Sequence, residues 1–365
     1  MVDIQKNQYT PDYLVTPGEV LEDYLESHGM TQAELAIRTG LAKKTINEII
    51  KAKSPITPET ALKLERTLGR PAHFWNNLER QYQEDMTRLA EEQRLESYLT
   101  WLKNVPVSVM AKHGWIPKQT DRIRQLETVL RFFGVASPEQ WAVVWRECQA
   151  AYRQTQRFQA RAEAVSAWLR QGEIQARQIP CGPYDKRRFQ EILEMIRNLT
   201  TEAAPKIFVP RLVESCASAG VAVVFVPELP QTGVYGATRW TGDKAVIQLS
   251  LRYKSNDHLW FTFFHEAGHI IKHGRKDIFI ESNGLEDEKE QEADAFARDR
   301  LIPPPAYRRL TQDGRPALEI IKRIAVEIGI APGIVVGRLQ HDGLLPRNTG
   351  NKLKVFYRWA NEEGN

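Results

Sequence analysis

Between residues 17 and 83, apolar positions recur at three-to-four spacing in runs broken by Gly or Pro and reopened by Thr or Ser, a pattern of about five short helices. Thr31-Gln32-Ala33-Glu34 reads as a capping box, Gly40 turns the chain, and Leu41 leads into a helix over Lys43 to Ala52. Leu35, Ala36, Ile46, Ile49 and Ile50 supply an inward face. Lys43, Lys44, Thr45, Asn47 and Glu48 then lie at the start of the second helix, where a helix-turn-helix DNA reader places its base contacts. Lys51 and Lys53 follow, positioned for phosphates.

Tyr82 to Leu199 continues with helical spacing, and Trp101, Trp115, Trp141, Trp145 and Trp168 recur among Leu, Val and Phe as core residues. The Arg-rich runs over 153–178 and 185–199 read as amphipathic helices with solvated faces. A break over residues 200–205 leads into strand-like segments, VAVVFVPEL and KAVIQLSL. The second of these, at Lys244 to Leu251, is either an internal strand or an exposed edge open to an extended peptide. Residues 317–345 space as two helices joined at Gly329 that pack on the preceding core.

The segment between these, HLWFTFFHEAGHIIKH at 258–273, changes the picture. Trp260, Phe261, Phe264, Ala267, Gly268 and Ile271 bury a helix, on which His265 and His269, four residues apart, lie one above the other. Two imidazoles so placed converge on one metal ion, with Glu266 aimed at its open side as general base, the H-E-x-x-H arrangement of a zinc peptidase. A catalytic zinc site takes three protein ligands and leaves the fourth position to water. A third ligand is therefore expected. A helix from about Glu286 to Leu301, with Ala293, Phe296, Ala297 and Leu301 inward, offers Glu292 at the margin of its apolar face, where a carboxylate is costly without a cation. Glu288 shares that side, Glu290 and Asp294 are expected to point to water, and His273 is the rival ligand. Candidate donors for a developing oxyanion are Tyr235, Arg252, Tyr253 and His258.

FTFFHEAGHIIKHG followed by EADAFARDRLIP resembles the ImmA/IrrE family of bacterial zinc metallopeptidases, over about residues 205–345. The resemblance implies His265, His269 and Glu292 as zinc ligands, Glu266 as base, and repressors of the helix-turn-helix type as substrates. Residues 15–85 resemble Cro/repressor-type domains, and most closely those of HigA-type antitoxins, through Thr-Gln-x-x-Leu-Ala and Pro-Ile-Thr-Pro-Glu-Thr-Ala-x-x-Leu.

Composition narrows the setting. The chain of 365 residues is 42% hydrophobic and 26% charged, ordinary globular usage, with a net charge of +4 that permits nucleic acid without demanding it. Acidic residues slightly outnumber basic ones over positions 1–80, so any DNA contact rests on a local patch. Cys148, Cys181 and Cys216 show no pairing or zinc spacing, which fits a reducing compartment. No leading apolar stretch reads as a signal peptide and none is long enough to span a bilayer, so a cytoplasmic protein without a membrane partner is expected.

The fold expected is mainly α, with a small α+β zincin-like metallopeptidase domain and an N-terminal five-helix repressor-type helix-turn-helix domain. The expected divisions are 1–85 for the helix-turn-helix, 86–204 for a helical middle region, 205–345 for the peptidase and 346–365 for a tail. The function expected is a DNA-binding transcriptional regulator whose zinc endopeptidase, active or latent, cuts a repressor: itself, a twin subunit or another protein. Zinc is the expected metal, with manganese or iron as alternatives, and the partners are double-stranded DNA, a protein substrate and a second copy. The alternative is a HigA-like antitoxin whose peptidase-like domain binds a toxin or a signal without turnover.

Overall fold

The computed structural model describes residues 14–145, 162–274, 279–282, 288–312 and 314–359. Cys148 and the first part of the Arg-rich run, residues 153–161, lie outside them. Contacts divide the chain into two units, Met1–Tyr98 and Leu99–Asn365.

The first unit holds α1 (Pro17–Ser27), α2 (Gln32–Thr39), α3 (Lys43–Ile50), α4 (Pro58–Leu68) and most of α5 (Ala72–Leu102). Its helix starts are written in the sequence. Thr16, Thr31 and Thr57 each accept a hydrogen bond from the backbone N–H three residues on, which satisfies one of the orphan donors of a helix N-terminus. Only α1 completes a capping box, through Glu19; in α2 the Glu34 carboxylate turns instead to Arg38. Gly40 ends α2 at φ 68°, a left-handed conformation that glycine adopts without a Cβ penalty. Leu21, Leu25, Leu35, Ile46, Ile49, Leu64 and Trp75 form the core. Gly18 lets α1 cross α3 closely, since a Cβ there would lie 2.2 Å from the Ile49 carbonyl oxygen.

The second unit is built on a four-stranded sheet, β1 (Val221–Phe225), β2 (Val234–Thr241), β3 (Lys244–Leu249) and β4 (Phe279–Ser282), in the order β1-β3-β2-β4. β1 and β3 are parallel; β2 runs antiparallel to both β3 and β4. A two-residue turn with Gly242 at φ 60° joins β2 to β3. β3 lies inside the sheet between β1 and β2, so it has no free edge for a peptide.

Side chains alternate across the sheet and both faces are covered. Val221, Val223, Ala245 and Ile247 pack with α10 (Lys186–Leu199), α11 (Pro205–Ala217), α12 (Asn256–Lys272) and the helices that follow α12. Ala222, Val224, Val234 and Val246 pack on the other side with α9 (Ala162–Gln178) and with residues of α6 (Val107–Lys112), α7 (Arg122–Phe133) and α8 (Pro138–Val144). The helical middle therefore does not stand apart as residues 86–204. Trp168 of α9 is fully buried and donates its indole N–H to the Val226 carbonyl at 3.0 Å, and the Gln248 amide of β3 donates to the Trp168 carbonyl at 2.7 Å. Lys244 caps the end of α9 by donating to the Ala176 and Ile179 carbonyls.

The remaining helices are α13 (Glu288–Leu301), α14 (Pro304–Thr311), α15 (Leu318–Ile328) and α16 (Pro332–His341). α15 and α16 meet at Gly329, φ 70°, and bury Ile321, Ala325, Val335 and Leu339 in the α12 core. The segment expected as a tail docks on the first turn of α12. Asn256 exchanges hydrogen bonds with Val355, Lys354 pairs with buried Asp257 at 2.6 Å, and Tyr357 is buried. No described helix is long and apolar enough to cross a membrane.

Candidate metal centre and helix-turn-helix surface

α12 is buried on nearly every side, between the sheet and α13, α15 and α16. That burial fixes the rotamers of His265 and His269, each 2% exposed, whose Nε2 atoms face each other at 3.0 Å. The carboxylate that joins them is Glu290, not Glu292: its Oε2 lies 3.1 Å from His265 Nε2 and its Oε1 3.5 Å from His269 Nε2. One atom from each of the three residues falls within 4.8 Å of the others.

The reason is helical geometry. At 100° per residue, Glu290 lies about 20° from the centre of the face made by Ala293, Ala297 and Leu301, whereas Glu292 lies about 140° away. Phe296 is only half-buried and misleads if counted with that face. α13 approaches α12 closely because Gly268, inside the H-E-x-x-H run, has no side chain; a Cβ there would sit 3.2 Å from the Ala293 Cα. Asp294, also expected in water, places Oδ1 2.9 Å from His265 Nδ1. Glu290 and Asp294 thus repeat at i,i+4 opposite the i,i+4 histidines, a spacing match that was legible in the sequence.

Glu292 serves at one remove. Its Oε2 is 3.2 Å from His273 Nε2, and His273 Nδ1 is 3.0 Å from His269 Nδ1. Each imidazole of the pair therefore has its outer nitrogen held, His265 by Asp294 and His269 by His273, an arrangement that fixes ring orientation and tautomer. Phe279 of β4 stacks on the His269 ring at 4.0 Å and 16°. Burial pushes the His269 pKa down to about 4, which favours the neutral ring that a metal takes. Burial alone would raise Glu290, but hydrogen bonds and charge from His265 and His269 outweigh it and hold the carboxyl down at about 2.

Glu266 is fully buried and accepts a hydrogen bond from the Thr238 hydroxyl of β2 at 2.6 Å. Gly236 makes room for it: a Cβ at that position would lie 2.5 Å from Glu266 Oε1 and 2.6 Å from Thr262 Cγ2. Tyr235, Arg252, Tyr253 and His258 are brought together, but at the start of α12, where His258 precedes Glu266 by about two turns. Two neutral-capable imidazoles and an ionised carboxylate, buried beside a second carboxylate, are a donor set that fits zinc.

Residues 216–340 match a peptidase-family model described as the IrrE N-terminal-like domain, and residues 21–75 match a helix-turn-helix model. The chain joins a helix-turn-helix domain to an IrrE N-terminal-like domain. Virulence-associated protein I of Dichelobacter nodosus is 38% identical over 69 residues, 19% of this chain and 64% of that protein, so less than two thirds of that relative is spanned. An uncharacterised helix-turn-helix transcriptional regulator of Escherichia coli strain K12, YddM, is 29% identical over 63 residues, 17% of this chain and 67% of its own. Among solved structures, the Pseudomonas aeruginosa antitoxin HigA with the higBA promoter matches at 27% identity and a TM-score of 0.22, over 23% of this chain and 94% of its own.

In the helix-turn-helix domain, Ile46, Ile49 and Ile50 anchor α3 and leave its opposite face outward. Lys43, Lys44, Lys51 and Lys53 are exposed, and Thr45 and Asn47 half-buried. Glu48 is held within the domain, 3.8 Å from Lys44 and 3.5 Å from the Ser54 hydroxyl.

Proposed function

We propose that this chain is a DNA-binding transcriptional regulator with a zinc-dependent endopeptidase that cuts a repressor-type protein and so relieves repression. The protein cut is the chain itself, a twin subunit or another repressor. The observation that carries this reading is Glu266, a buried carboxylate beside the histidine pair, because a site that only stores metal has no need of a general base there.

His265, His269 and Glu290 would hold the ion, zinc in the first instance with manganese or iron as alternatives. Bound zinc lowers the pKa of a water toward about 7 and polarises a carbonyl. Glu266 accepts the proton given up by the attacking water and returns it to the leaving amine nitrogen, its carboxylate oriented by the Thr238 hydroxyl. The helix-turn-helix domain reads double-stranded DNA with α3, as a pair of copies on two half-sites.

Glu266→Gln is expected to retain zinc, measured by elemental analysis, while cleavage of its own chain and of co-expressed helix-turn-helix repressors falls about a hundredfold or more. Equal fragment yields from the variant and the wild type would sink the peptidase reading. Replacing both Lys43 and Lys44 by Gln should weaken promoter-fragment binding by about tenfold at moderate salt and flatten its salt dependence. An unchanged salt slope in an electrophoretic mobility titration would move DNA contact away from α3.

A further inference from the structure

The residues singled out as oxyanion donors form a cluster of their own. Tyr235 and Tyr253 stack at 5.3 Å with their hydroxyls 3.0 Å apart, and Tyr253 lies against His258 at 4.3 Å. The Arg252 guanidinium rests over both tyrosine rings, at 5.2 and 6.0 Å. Arg252 also pairs with Glu228 at 3.8 Å. Tyr253 and His258 are exposed.

The loop that carries Arg252 and Tyr253 is strained and held. Leu251 and Lys254 both sit at φ 54°, a left-handed conformation costly for side chains of that size. Such backbone persists only where its surroundings over-determine it. Here Ser250 makes two hydrogen bonds to β2, through its N–H to the Tyr235 carbonyl and its hydroxyl to the Val234 carbonyl, and the Lys254 carbonyl accepts from the Tyr357 N–H. The held loop presents Tyr253 outward, with the partly covered Arg252 beside it.

Position along α12 says what they face. His258 precedes His265 by seven residues, nearly two turns, so it shares the face of the histidine pair at a rise of about 10.5 Å. Thr262 lies between, at the edge of the cluster and against Gly236 beside Glu266. An extended peptide covers that rise in about three residues. The cluster itself has little interior space, so it meets a side chain at its surface rather than engulfing one.

We infer that Arg252, Tyr253, Tyr235 and His258 form a substrate subsite that binds an acidic side chain about three residues from the scissile bond. The inference rests on the peptidase reading of the histidine centre. Its chemistry is that of the donor set: a guanidinium, a pair of phenol hydroxyls and an imidazole lie side by side, each a group that donates to a carboxylate.

The test uses the full-length, zinc-loaded Glu266→Gln protein and fluorescein-labelled alanine-serine octapeptides carrying one Glu at each successive position. Anisotropy titrations should show Glu at one or two adjacent positions tightening binding about tenfold over the Glu-free peptide. Arg252→Gln should abolish that preference and Arg252→Glu should transfer it to a Lys-substituted peptide. Arg187→Gln, a fully solvated change on α10, should leave it intact. No positional preference for Glu, no peptide binding, a preference for Phe in place of Glu, or an Arg252→Gln protein that binds as well as its parent would each overturn the subsite. Incubating the same peptides with zinc-loaded wild type and reading fragments by mass spectrometry tests the peptidase reading separately, because a protein that binds acidic peptides and cuts none keeps the subsite and loses the enzyme.

Discussion

Glu290→Ala is expected to lose its metal and Glu292→Ala to keep it. Zinc held by a protein of four-coordinate type is worth about 10–16 kcal/mol, so one of its few ligands contributes roughly 3 kcal/mol, or about a hundredfold or more in affinity. Glu290 stands within 3.5 Å of both imidazole nitrogens of the pair, and its removal leaves two neutral rings with no anionic charge between them. A group bonded directly to a ligand, as His273 is to His269, costs about tenfold to a hundredfold when lost, and Glu292 acts one step further out, through His273, so its loss costs less. Competition with a chromophoric chelator ranks the wild type and both variants on one scale. Weaker zinc binding by Glu292→Ala than by Glu290→Ala would restore Glu292 as the third ligand and mean that the start of α13 rearranges when metal binds.

The same pair of glutamates shows how far the sequence could be read. The histidines and Glu266 were legible because the chemistry demands an i,i+4 pair on a helix and the flanking aromatics require that helix to be buried. The helix-turn-helix was legible because its Thr caps and Gly40 turn act locally. The third carboxylate depended on which face of α13 meets α12, and a single half-buried residue, Phe296, rotated the expected face away from Glu290. The close approach at Gly268 that settles the rotation is a tertiary fact with only a faint local mark. The place of Trp168 is harder still. Aromatic residues at helical spacing announce a core but not its partner, and nothing near residue 168 indicates that the far side of a sheet beginning at Val221 is what it covers.

Trp168→Ala is expected to release zinc at a markedly lower urea concentration, because α9 closes the second face of the sheet that supports β2 and hence Glu266. Truncating a fully buried Trp costs about 3–5 kcal/mol, and here the Val226 carbonyl also loses its indole donor. With a chain of two units a single unfolding free energy is poorly defined, so zinc release, which reports on the second unit alone, is the appropriate signal. At a typical urea dependence of 1–3 kcal/mol per molar, the release midpoint should fall by about 1 M or more. The far-ultraviolet circular dichroism step of the second unit should move with it. An unchanged midpoint would mean that α9 folds apart from the sheet and that the helical middle is an independent segment after all. A shift shared by both signals would make residues from Leu99 onward one folding unit, in which the helix before the sheet stabilises the metal centre as fully as the helices after it.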